Sequence, residues 1–156
     1  MKPAAEKVQA AIAASGLRGK VIELDVHART SQQAAEALGV AVGQIAKSLV
    51  FTVDGRPLLV IASGANRVDE AKLGALAEGV VRRADANAVR QATGYAIGGV
   101  PPFGHTRRLD TYLDRDLLEF DQVWAAAGRP DTVFPIDPRE LQRITDARVA
   151  EVVEAT

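Results

Sequence analysis

Apolar residues recur at helical spacing from the start of the chain. Between positions 4 and 15 they fall at Val8, Ala11 and Ile12, with Ala4 and Ala5 as weaker members, until Gly16 and Gly19 stop the pattern. That spacing predicts an amphipathic helix. Residues 21–24 read as a short strand, and Thr30 or Ser31 caps a second helix carrying Ala34, Ala35, Ala37 and Leu38 before Gly39. The period then changes. Two β-rich runs, 44–53 and 56–62, flank Asp54 and Gly55, the clearest hairpin signal in the sequence. Residues 58–62 are continuously apolar, as a central strand covered on both faces requires.

Further on, Asp69 caps a helix through Leu76 that Gly79 ends, 80–83 form a short strand, and 85–93 form a helix closed by Gly94. Strands are expected over 108–113, 123–128 and 132–136, with Pro135 marking a sheet edge or a strand end. Asp137 and Pro138 start a helix that turns Leu141 and Ile144 inward, and 147–156 are a final short helix or strand. Helices and strands mix without a regular β-α alternation, and no repeat or linker interrupts them. The expected fold is α+β, one domain over residues 1–156 around a mixed, mainly antiparallel sheet.

Composition narrows the chemistry. The chain has 156 residues, is 47% hydrophobic and 25% charged, and carries a net charge of −1. Such a balance argues against long-duplex binding by phosphate neutralisation, yet leaves room for contact with the end of one strand. Absence of cysteine removes disulfides, thiolate metal sites and cysteine nucleophiles, and fits a cytoplasmic location. No apolar run is long enough to span a bilayer, so no membrane partner is expected. Aromatics at 4% are too few for a multi-base stacking platform.

Gly98, Gly99, Val100, Pro101, Pro102, Phe103, Gly104 and His105 stand together. Glycines let another molecule approach the backbone, and prolines fix φ and remove a donor. Such a loop is either a tight turn or a rigid set of N–H groups for an anion or oxyanion. Lys47 opens a hydrophobic β run, either as a fixed cation in a cleft or as an exposed strand-end lysine. His27 and His105, the two histidines, lie at no metal-ligand spacing, so neither metal nor cofactor is expected. Neither a serine-hydrolase elbow nor a phosphate-binding Gly-Lys loop is present. The pairs Arg82-Arg83 and Arg107-Arg108 could each touch a phosphate or simply face solvent.

Three ordered stretches, 30–39, 44–51 and 98–105, resemble the YbaK / prolyl-tRNA-synthetase-associated domain family of trans-editing aminoacyl-tRNA deacylases. The resemblance continues through 110–114 and 127–130 to the helix at 138–141, and so covers nearly the whole chain. It implies a YbaK-like, barrel-like sheet surrounded by helices. It also implies a freestanding hydrolase that cleaves the ester of mischarged tRNA, with small amino acids on proline tRNA or a related tRNA as substrates. The family's lysine matches Lys47, and its Gly-x-x-Pro loop matches either Gly98 to Pro101 or Gly99 to Pro102.

On that basis the catalytic residues are Lys47, Gly98 and Gly99, and the substrate-binding residues are Thr30, Ser48, Val50, Val100, Pro101, Pro102, Phe103, Gly104 and His105. Backbone N–H groups of Gly98, Gly99 and Val100 would face the oxyanion, with Phe103, Thr30 and Val50 as pocket walls. The ribose hydroxyl beside the ester would activate the attacking water, which gives a preference for RNA. The expected partners are the tRNA acceptor end and an aminoacyl-tRNA synthetase, with the chain a monomer or weak homo-oligomer. Two rival readings remain open: a non-catalytic module that binds a tRNA end or nucleotide, and a structural protein with a filled cleft.

Overall fold

The hairpin around Asp54 and Gly55 forms the centre of the sheet. In the computed structural model, which describes residues 2–25 and 28–155, β2 (Ile45–Val53) and β3 (Arg56–Ser63) pair antiparallel from Ala46 with Ser63 to Val53 with Arg56. Asp54 and Gly55 both have positive φ, 49° and 83°, as a two-residue turn matched to strand twist requires.

Among the described residues the sheet has eight strands. β1 (Ile22–Glu23), β7 (Thr132–Ile136), β6 (Val123–Ala126), β2, β3, β5 (Asp110–Asp114) and β8 (Arg148–Ala150) follow one another, and β4 (Val81–Arg83) adds to β2. Four of its seven pairings are antiparallel; β2–β6, β3–β5 and β5–β8 are parallel. Among the described residues no pairing joins β1 to β8. Pro135 lies within β7 beyond its two-residue pairing with β1, where its missing N–H costs no ladder bond.

β3 is buried from Leu58 to Ser63, as the apolar run requires. Leu59 and Ile61 meet Val8, Ile12 and Phe134 on one face. Leu58, Val60 and Ala62 meet Phe51, Leu73 and Val152 on the other.

The second edge of β2 is divided. Ile45 and Ala46 pair with Trp124 and Ala125 of β6, while Phe51 to Val53 pair with β4. Between them, residues 47–50 have no strand partner on this edge among the described residues; the Val50 carbonyl accepts the Ala84 N–H at 3.2 Å. The sheet therefore contains a gap.

Among the described residues, five α-helices pack around it. α1 (Pro3–Ala14) buries Ala5, Val8 and Ile12. Thr30, not Ser31, caps α2 (Ser31–Leu38) in a reciprocal capping box with Gln33. Asp69, Asp85 and Asp137 cap α3 (Glu70–Ala77), α4 (Ala86–Thr93) and α5 (Pro138–Thr145). α3 runs one residue past Leu76, to Ala77, and Glu78 rather than Gly79 takes the left-handed cap position. No described helix is long and apolar enough to cross a membrane.

After α4 the Gly/Pro loop begins with a tight turn. The Gly99 N–H donates to Ala96 O at 3.0 Å, and Gly98 has φ of 89°, the glycine conformation of a type II turn. Gly99 then lies against another backbone: a Cβ there would stand 2.6 Å from Gly128 O and 2.8 Å from Arg129 Cα. Gly128 N–H donates to Gly99 O at 2.9 Å, and a Cβ on Gly128 would stand 2.7 Å from Ala4 O. Three main chains thus stack without side chains between them. Pro101, Pro102 and Phe103 are buried, and Phe103 meets Phe134 edge-on at 5.8 Å. His105 Nε2–H donates to Pro101 O at 2.6 Å and pins the loop's far end.

Gly99→Ala is expected to destabilise the fold by about 1–3 kcal/mol through overpacking against Gly128. A denaturant midpoint equal to wild type would contradict this packing. Burial pulls His105 below its ordinary value of 6.5, Lys7 adds to the effect, and the Pro101 bond opposes it. The unfolded chain therefore takes up a proton that the folded chain resists. The associated stability is complete above 6.5 and is lost as pH falls through the lowered folded value. His105→Gln should flatten this acid-side loss, read from urea midpoints on either side of 6.5.

Candidate active site

The gap in the β2 edge opens into a cleft of about 250 Å³. Residues 47–50 form its floor. Thr30, Ser31 and Ala34 at the start of α2, with Trp124 and Ala126 of β6, line one side; Arg83, Ala84, Val89, Gly98 and Val100 line the other. The cleft reaches both faces of the sheet because the ladder is interrupted. Ala46 and Val50 belong to one core cluster, and Ile45 packs with Ala34 and Trp124 in another.

Six of the residues singled out from sequence come together here: Thr30, Lys47, Ser48, Val50, Gly98 and Val100. The remainder do not line this cleft. Pro102, Phe103, Gly104 and His105 line a separate depression with Ala11 and Ala14 of α1 and Ile144 of α5. Phe103 is a core residue rather than a cleft wall, because the edge contact with Phe134 draws its ring inward. Pro101 is buried behind the loop and is tied to His105. Gly99 does not offer a free donor, since its N–H is spent on Ala96 O. The N–H groups of Gly98 and Val100 have no hydrogen-bond partner among the described residues, and both residues line the cleft.

Lys47 is half-buried. Its ammonium donates to the Asn66 carbonyl oxygen at 2.6 Å. Burial pulls its pKa below 10.5; the Arg83 guanidinium pulls the same way, Asp114 opposes, and Arg67 adds a smaller downward pull. Arg83 sits 5.9 Å over the Phe51 ring, which steadies the guanidinium beside the cleft. With Arg29, the cleft wall carries three cationic side chains and, among the described residues, no carboxylate. In a chain of net charge −1 this is a local concentration of positive charge suited to an anion.

Two buried polar atoms in the cleft-lining residues lack partners among the described residues: Ser48 Oγ and Trp124 Nε1. A buried polar group without a partner costs about 1–3 kcal/mol. No group of three or more metal-ligating side chains occurs among the described residues. His27 lies outside them.

Sequence reading missed Arg29, Asn66, Asp114 and Trp124. Arg83 was visible only as half of a basic pair, and the register of β4 distinguishes it from Arg82, which does not line the cleft. Asn66 and Asp114 are 48 positions apart, a separation with no local signature.

Known proteins carry the same pattern. The family model for the aminoacyl-tRNA editing domain matches residues 25–144. YwhH of Bacillus subtilis (strain 168), a protein without an assigned role, is 35% identical over 130 residues, 83% of each chain. A proline–tRNA ligase of Maridesulfovibrio salexigens is 31% identical over 105 residues, which are 66% of this chain and 18% of that enzyme. Among solved structures, a candidate trans-editing enzyme for prolyl-tRNA synthetase superposes with a TM-score of 0.96 at 46% identity, covering 99% of both chains. With the editing-domain pattern spanning most of its length and the fold shared end to end, the chain belongs to the aminoacyl-tRNA editing domain family of YbaK type.

Proposed function

We propose that the protein is a freestanding trans-editing deacylase that hydrolyses the ester between a small, wrongly attached amino acid and the 3′ end of a tRNA. The observation that carries this reading is the meeting of Lys47 with the unpartnered Gly98 and Val100 N–H groups in one cleft that no carboxylate lines among the described residues. A cationic wall suits the phosphates of a strand end, and two fixed N–H groups suit a developing oxyanion. The cleft, at about 250 Å³, is smaller than most ligand sites and suits one small acyl group and its ribose better than several stacked nucleotides.

Water adds to the ester carbonyl, and the oxyanion of the tetrahedral intermediate accepts from Gly98 and Val100 N–H. The neighbouring ribose hydroxyl takes part in activating the water. The C–O bond to the ribose then breaks, the ribose oxygen receives one proton of the water, and the amino acid leaves as its carboxylate with the second proton passing to solvent. Lys47 orients the carbonyl or the terminal nucleotide and offsets the negative charge. Ser48 Oγ supplies an unspent donor or acceptor near the acyl group. Thr30 and Val50 bound the pocket, and Arg29 and Arg83 hold phosphate.

Lys47→Ala should lower deacylation across a panel of mischarged tRNAs by about 10²–10³-fold, to a residual rate that can still be measured, while leaving the melting temperature near wild type. Normal turnover by the folded variant would refute the role given to Lys47. The same panel identifies the amino acid, and binding without turnover of any member would favour a module that only holds a tRNA end.

Arg83→Gln should weaken binding of a short RNA ending in CCA and reduce its salt slope by about 0.7, the share of one phosphate contact on a single strand. Arg82→Gln, outside the cleft, should leave both affinity and slope unchanged. Equal effects of the two substitutions would show that phosphate is held by diffuse charge rather than at the cleft.

A further inference from the structure

We propose that Asn66 and Asp114 are positioning residues for Lys47: together they fix the carbonyl oxygen that receives its ammonium, so that the cation stands at one place in the cleft wall. The inference rests on the deacylase reading for its catalytic consequence, but the arrangement itself is a property of the free protein.

Lys47 forms no direct ion pair among the described residues. Its contact is the main-chain oxygen of Asn66, at 2.6 Å. That oxygen belongs to an irregular segment between β3 and the isolated bridge of Val68 to Val153. Left alone, such a segment would offer the lysine a moving acceptor.

The Asn66 side chain ties the segment down. Its Nδ2 donates to Asp114 Oδ2 at 2.9 Å and to Asp116 Oδ2 at 2.7 Å. Both partners are acceptors, so the amide nitrogen must point that way. Asp114 is anchored in turn. It is 1% exposed, and besides Asn66 it accepts Ser63 N–H at Oδ2 (2.9 Å) and Asp116 N–H at Oδ1 (3.0 Å). The near end of the segment is held by Gly64 N–H on Ile45 O and by Ser63 Oγ on Gly43 O. A chain of bonds thus runs from the end of β5 through Asn66 to the lysine on β2.

Charge follows the same path. Lys47 faces Arg83 from β4, Arg67 from the segment itself, Arg29 from the approach to α2, and Asp114 from β5. Asp114 is the acidic group among them and pulls the Lys47 pKa up, against the larger downward pulls of burial and Arg83. The carboxylate reaches the lysine through Asn66 rather than by direct contact, so it favours the charged form without binding it as an ion pair.

The test follows Lys47 directly in the free protein through its ¹³Cε resonance, assigned with Lys47→Arg. Asp114→Asn should lower the midpoint of the Lys47 titration, and Asn66→Ala should make the side chain more mobile by relaxation. An unchanged midpoint together with unchanged mobility overturns the proposal. If Asp114→Asn does not fold, Asn66→Ala decides alone.

The catalytic arm uses mischarged tRNA. Asn66→Ala should lower kcat by about 10²-fold, as misplacement of a reacting group does, with little change in KM. In a Lys47→Ala background the same substitution should cost little more. An equal loss in both backgrounds means that Asn66 does not act through Lys47. A wild-type protein whose Lys47 titrates and stiffens as stated, yet hydrolyses no member of the panel, leaves the positioning role standing and removes the deacylase reading.

Discussion

A strand has two edges, and β2 shares one of them between two partners. β6 pairs with its first residues and β4 with its last, in opposite directions, and neither reaches the middle. Main-chain groups without a ladder partner persist only where solvent or a ligand can meet them. The cleft at residues 47–50 is therefore a consequence of strand connectivity before it is a matter of side chains. What surrounds it, from α2 and β6 on one flank to α4 and the Gly/Pro loop on the other, is arranged around that interruption.

The two flanks are built by different means. On the loop side the backbone is held by backbone: Gly99 rests on Gly128, Gly128 rests on Ala4, and the buried prolines close the segment behind them. Gly98 and Val100, whose N–H groups have no partner among the described residues, line the opening. On the lysine side the control is polar and electrostatic. Lys47 is held by a carbonyl whose own position depends on a buried aspartate, in a neighbourhood where guanidinium groups outnumber carboxylates. A rigid scaffold and a half-buried cation thus line the same cleft, an arrangement suited to stabilising negative charge.

Most of the fold was legible because its signals are local. The Asp54-Gly55 turn, the aspartate and threonine caps, and the uniformly apolar β3 each declare themselves within a few residues. The site was legible only in part, since its geometry depends on pairings between distant segments. Lys47 and Gly98, both singled out from sequence, line a single cleft in the structure. Sequence could not show that Gly99 spends its N–H inside a turn, nor that Phe103 turns away to meet Phe134. Adjacency in sequence suggested that all of 98–105 faces the ligand, but the tight turn and the buried prolines divide that run between two surfaces. Asn66 and Asp114 meet only because β3 and β5 run side by side.

Because the opening is a break in hydrogen bonding, its width and its depth answer to different parts of the sequence. Width is set by where β4 and β6 stop pairing, which side-chain substitution leaves in place. Depth is set by small residues in the wall, Ala28, Ala34, Ala46 and Ala126 among them. Enlarging one of these alanines would shorten the space available to an acyl chain without moving the lysine or the loop that face it. A lineage could thus change the size of group that the cleft admits in single steps, while the placement of lysine and loop stays fixed by the register of the sheet.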